Sequence, residues 1–237
     1  NYDLIMGNTI QGDGFSVTII KSTRRKTMAL KVNRDGVSVH MPSNAAISLA
    51  KNFVQQKTSW IQYKLKQQNS RQLIIKHYVD GESLLFLGEQ YNLRLNQSAV
   101  TNIHKDNTDI VITSRSATPS TASVKRNVVN WYKQQAELYI KERTQQLTTE
   151  TGLKPRSITV KTYKARWGSC KITGDIQFNW KLLLAPPAII DYVIVHELCH
   201  LVHHNHSAAF WQLVAYHFPD FKQARLWLKE NGHQLEL

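Results

Sequence analysis

A chain of 237 residues, 42% hydrophobic and 20% charged, has enough apolar content for a sizeable core, which excludes a disordered polymer. No apolar run reaches the roughly 18–20 residues of a membrane span, two cysteines (Cys170 and Cys199) make no disulfide framework, and no signal peptide is visible, so a cytoplasmic protein with no membrane partner is expected. The net charge of +13 is uneven: 12 Lys+Arg against 4 Asp+Glu over residues 1–80, 8 against 7 over 81–150, and 10 against 6 over 151–237. A basic N-terminal surface of this kind could attract nucleic acid, although a solvated basic face is the plainer reading.

Residues 14–41 read as strands, because Phe15, Val17 and Ile19, then Met28, Leu30 and Val32, then Val37, Val39 and Met41 alternate with polar positions. Asn33-Arg34-Asp35-Gly36 makes a hairpin turn. A single helix follows from Pro42-Ser43-Asn44, with Ile47, Ala50, Val54, Ile61 and Leu65 at helical spacing. Its other face carries lysines beside Trp60 and Tyr63. Short alternating strands are predicted over 83–87, 91–95, 100–104 and 109–113. The Ser/Thr/Ala-rich stretch 114–123 reads as a subdomain boundary. This gives a β-rich N-terminal subdomain with one helix (1–116) and a second subdomain (117–237), an α+β fold class.

A long helix over 120–150, ended by Gly152, opens the second part. A strand with Ile158 and Val160 comes next, then Arg166-Trp167-Gly168-Ser169-Cys170, then a strand over 176–182. Pro186-Pro187 starts a helix that is apolar almost all round from Ile189 to Val202, so it must be buried. Two helices, roughly 207–217 and 220–231, close the chain.

The buried helix carries His196-Glu197-Leu198-Cys199-His200, the pattern H-E-x-x-H. Positions i and i+4 lie on one face, so both imidazoles can reach one ion, while Glu197 sits about 100° round the axis. There it can flank a metal without binding it and take the proton from an activated water. His203 and His204 lie about 10–12 Å up the axis from His196 on an unbroken helix, too far to converge. A turn at Asn205 would swing His206 back, so His196, His200 and His206 are the expected ligands with an open fourth position. Arg166 and Tyr192 are candidates for substrate or oxyanion contacts. Asp191 could cap the helix or orient a neighbour, and the sequence leaves this open.

Taken together, Arg166-Trp167-Gly168-Ser169-Cys170, Phe178-Asn179-Trp180, Asp191 to His200, Asn205-His206-Ser207 and Phe210-Trp211 resemble the YgjP-like metal-dependent hydrolases, relatives of the SprT-like and WLM proteases. The resemblance implies Zn²⁺ on His196, His200 and His206, Glu197 as catalytic base, and a polypeptide substrate. It also implies a β-rich N-terminal part packed on a zincin-like C-terminal half. Two alternatives stand beside this metallopeptidase reading. One is a SprT-like protease acting on DNA-associated protein; the other is a basic nucleic-acid-binding module whose zinc is only structural.

Overall fold

The computed structural model describes residues 5–6, 8–33, 35–69 and 76–237, with no statement on the side chains of 5–6 and 67–69. It is a mixed α+β chain with three small sheets and six α-helices among the described residues. The chain divides into two compact units, Asn1–Leu73 and Ile74–Leu237.

The first unit contains β1 (Ile5–Met6), β2 (Thr9–Gly12), β3 (Phe15–Ser22), β4 (Ala29–Asn33) and β5 (Gly36–Pro42), then α1 (Ile47–Gln56) and α2 (Thr58–Asn69). The sheet order is β1-β2-β3-β5-β4, with β3 and β5 parallel and the other pairs antiparallel. Val17, Ile19, Val37, Val39 and Met41 alternate along β3 and β5 and are buried with Ala50, Val54 and Ile61 of the helices. Asn33 pairs with Gly36, which closes the expected hairpin, although Arg34 lies outside the described residues. The single helix expected after Pro42 is two: the Thr58 hydroxyl donates to the carbonyls of Val54 and Gln55, capping α1 just where α2 begins.

The second unit opens with β6 (Ser83–Phe86), β7 (Glu89–Gln97), β8 (Asn102–Lys105) and β9 (Asp109–Ser114), in the order β6-β7-β9-β8. The 31-residue α3 (Thr121–Thr151) follows, capped by Ser120 and ended by Gly152 in the left-handed region. Then come β10 (Ser157–Lys161), β11 (Gly168–Cys170) and β12 (Asp175–Asn179), ordered β10-β12-β11, so β11 is an edge. The strand expected over 176–182 stops at Asn179, whose side chain accepts from the Lys181 N–H and starts a 3-10 turn, Trp180–Leu184. The last helices are α4 (Pro187–Cys199), α5 (Ala208–His217) and α6 (Phe221–Asn231). No helix among the described residues is long and apolar enough to cross a membrane.

The sheet of residues 83–114 shares one core with α3 and α4 through Leu84, Phe86, Leu93, Ile110 and Ile112, so the boundary between compact units lies at 73/74, whereas the sequence placed its subdomain boundary at 116/117. Three ties hold α4 and the 3-10 turn before it in this core. The Leu87 N–H donates to the Leu183 carbonyl at 2.7 Å. Gly88, at φ +83, lies so close to Pro186 that a Cβ would come within 2.8 Å of its ring. Arg143 of α3 grips Asp191 of α4 with two bonds of 2.8 and 3.0 Å, which assigns Asp191 an orienting rather than a capping place.

Candidate metal centre

Helix α4 is buried on nearly every side, from Ile189 to Cys199, and ends with His200 as its C-cap. The expected continuation to Val202 does not occur. The Leu201 and Val202 N–H groups bond back to Leu198 and Cys199 in tight three-residue steps, and the chain leaves the helix. His203 and His204 therefore sit in the loop rather than further up the helix. The Ser207 side chain caps α5 by accepting from the Phe210 N–H, and the loop before it places His206 beside the helix end.

The structure brings His196, His200 and His206 together, with one ring nitrogen from each within 4.8 Å of the others. The Nε2 atoms of His196 and His206 are 3.2 Å apart. Two nitrogens bound to one tetrahedral zinc at ~2.05 Å would stand about 3.3 Å apart, so this pair fits such an ion. His200 directs Nδ1 at the His203 carbonyl, 2.9 Å away. That carbonyl only accepts, so Nδ1 carries the proton and Nε2 presents its lone pair. Burial lowers the pKa of His200 and, with His200, His206 and Arg225 adding to it, holds His196 at about 3, so both rings are neutral, as ligands must be. The Nδ1 of His196 is buried without a hydrogen-bond partner among the described residues. Among the described residues no fourth His, Cys, Asp or Glu joins the group.

Glu197 is 6% exposed. Burial pushes its carboxyl up to about 8, opposed by Arg166. Gly168, at the start of the edge strand β11, lies against it: a Cβ there would stand 2.6 Å from Glu197 Cγ and Oε1. Nothing larger than glycine fits without moving the carboxylate. The segment that carries Gly168 is fixed by Asn179, which donates through Nδ2 to the carbonyls of Tyr163 and Arg166 while its N–H bonds the Trp167 carbonyl. Trp180 is buried and its indole N–H donates to the Thr162 hydroxyl.

Of the two other candidate residues, Tyr192 is buried one turn before His196, its ring 5.9 Å from the imidazole. Burial raises its phenol, which keeps it a hydrogen-bond donor. Arg166 is exposed, with its guanidinium 5.5 Å from the centre of the Tyr163 ring. Three features escaped the sequence reading. Gly168's closeness to Glu197 and the His203 carbonyl behind His200 are contacts across the fold without a local pattern. The third is the stacking of Trp211, one of the residues quoted for the resemblance, on His206 at 5.5 Å and 21°. The spacing of Trp211 from Ser207, the first-turn cap of α5, was the available signal.

Comparison with known proteins gives a family. A family model described as YgjP-like, metallopeptidase domain, matches residues 26–231. No curated protein matches. Among solved structures, the metallopeptidase zymogen abylysin of Pyrococcus abyssi is 21% identical, covering 38% of this chain and 93% of its own, with a TM-score of 0.34. The metallopeptidase zymogen jannalysin of Methanocaldococcus jannaschii is 20% identical, covering 37% and 90%, also at 0.34.

Proposed function

The chain belongs to the YgjP-like metallopeptidase domain family, and on that premise we propose that it is a zinc-dependent peptidase of zincin-like arrangement, with His196, His200 and His206 as ligands and Glu197 as general base. The observation that carries the proposal is the convergence of three histidine nitrogens within 4.8 Å beside a buried glutamate. Zinc held there would activate water and polarise the scissile carbonyl.

The chain's own residues do the rest. Glu197 is buried between Gly168 and α4, where burial raises its affinity for a proton. It accepts the proton of the attacking water and delivers it to the departing amine. Edge strand β11 offers unpaired backbone groups to an extended polypeptide, which would align the scissile bond beside Glu197. Tyr192, kept protonated by burial, and Arg166, always charged, are the donors available to a developing oxyanion. A purely structural zinc would call for a fourth protein ligand. The three-histidine group supports an open position instead.

The test is hydrolysis of an unfolded protein substrate by zinc-loaded wild type and by Glu197→Gln. Removing the base should lower kcat by roughly 10²–10⁴-fold with zinc content unchanged. Equal hydrolysis by the two proteins would refute the assignment of Glu197.

A further inference from the structure

The arginines that tie elements together in the second unit hold aspartates. Arg143 grips Asp191, and Arg156 grips Asp175. Two other arginines differ from these, since no carboxylate forms an ion pair with either among the described residues. Arg166 is one of the two. The other, Arg225 of α6, is exposed, with its guanidinium 4.9 Å from the centre of the Trp211 ring. The same indole stacks on His206 and lies 5.7 Å from the His196 ring. Phe221, one turn before Arg225, also stacks on it at 5.5 Å and 21°.

One indole thus links α6 to the metal centre and bears a cation. The N–H groups of a guanidinium match a carboxylate in pairs. Histidine side chains offer no competing anion, and Glu197 lies against Gly168.

We propose that Arg225, presented on Trp211, reads a carboxylate of the substrate, so that the enzyme favours polypeptides with an acidic group close to the scissile bond. This rests on the peptidase reading and adds the substrate class to it. The carboxylate could be an Asp or Glu side chain or the end of the chain.

The test has two arms. In the first, zinc-loaded protein digests a peptide library and the cut sites are read by mass spectrometry. Asp or Glu should be enriched at one fixed position from the cut. In matched peptides the Glu form should exceed the Gln form in kcat/KM by about tenfold or more, the worth of a charge-assisted pair. Arg225→Gln should erase the difference, and Arg225→Glu should move the preference to Lys, which a packing role would not do. Free-acid and amidated peptides separate the terminal source from the side-chain source. In the second arm, labelled Ala-rich peptides with one Glu or one Gln are bound to zinc-loaded Glu197→Gln protein, with Arg225 intact or changed to Gln. Equal binding of the two peptides with Arg225 intact, or a Glu advantage that survives Arg225→Gln, overturns the proposal, whatever the hydrolysis result. Arg225-dependent binding without any cleavage by wild type would instead uphold the carboxylate site and remove the peptidase reading.

Discussion

Gly168 and Glu197 compete for the same few cubic ångströms. A methyl group at residue 168 would stand 2.6 Å from the carboxylate, closer than any real Cβ contact, and Glu197 has the buried wall of α4 behind it. Gly168→Ala should therefore turn the carboxylate away from its working position while the three histidines stay in place. Displacement of a reacting group by about 1 Å costs on the order of 10²-fold. We expect kcat to fall by about that factor with zinc content unchanged, as read by steady-state kinetics beside metal analysis. Wild-type kcat in this variant would show that the close contact is relieved elsewhere. His196, Glu197 and His200 were legible because their chemistry lies within one helical repeat, where i and i+4 share a face, and His206 was reached through the turn at Asn205. Gly168 was not, because its neighbour is 29 residues away in sequence and the strand that carries it is only three residues long.

At the scale of elements, the sheet β10-β12-β11 sets where Gly168 lies, and Asp175 anchors its central strand. Its carboxylate accepts from Arg156 through both oxygens, from Ser157 at 2.7 Å and from Thr173 at 2.7 Å. These bonds, with Arg156 first, hold the Asp175 carboxyl well below the usual carboxylate range. The unfolded aspartate titrates near ~3.9, so the stabilisation is fully present above that value and is lost as pH falls toward the depressed folded one. Asp175→Asn should lower the melting temperature by a few degrees at neutral pH, and the gap should narrow below about pH 4. Thermal melts across that range check this, and a gap that stays constant into acid would contradict it. Element ends were the least legible part of the sequence. The apolar run through Leu201 and Val202 argued for more helix. The local bonds at His200 to His203 ended α4 at Cys199 instead, and the Asn179 side chain ended β12 in the same way. Hydrophobic patterning reports which face is buried, not where a polar side chain captures the backbone.

Across the whole molecule, the two compact units bury separate cores, one of β3, β5 and the first two helices and one around α3 and α4. The α+β composition was legible from the change of hydrophobic period along the chain. The division at 73/74 was not, because the strands of 83–114 look alike whether they join the preceding sheet or the following helices. Only their burial against Val124, Val128 and Tyr132 of α3 decides it. The family match supports a polypeptide partner and lends nucleic acid no support. The central claim is an open three-histidine metal site, and metal content by mass spectrometry tests it most directly. Wild type and His206→Ala would be purified without added metal, then supplied with zinc and desalted. We predict about one zinc per chain in wild type and a small fraction of that in His206→Ala, because two histidines on one helix end leave a site short of its third protein ligand. Wild type that retains no metal after zinc is supplied, or His206→Ala that retains as much as wild type, would contradict the account.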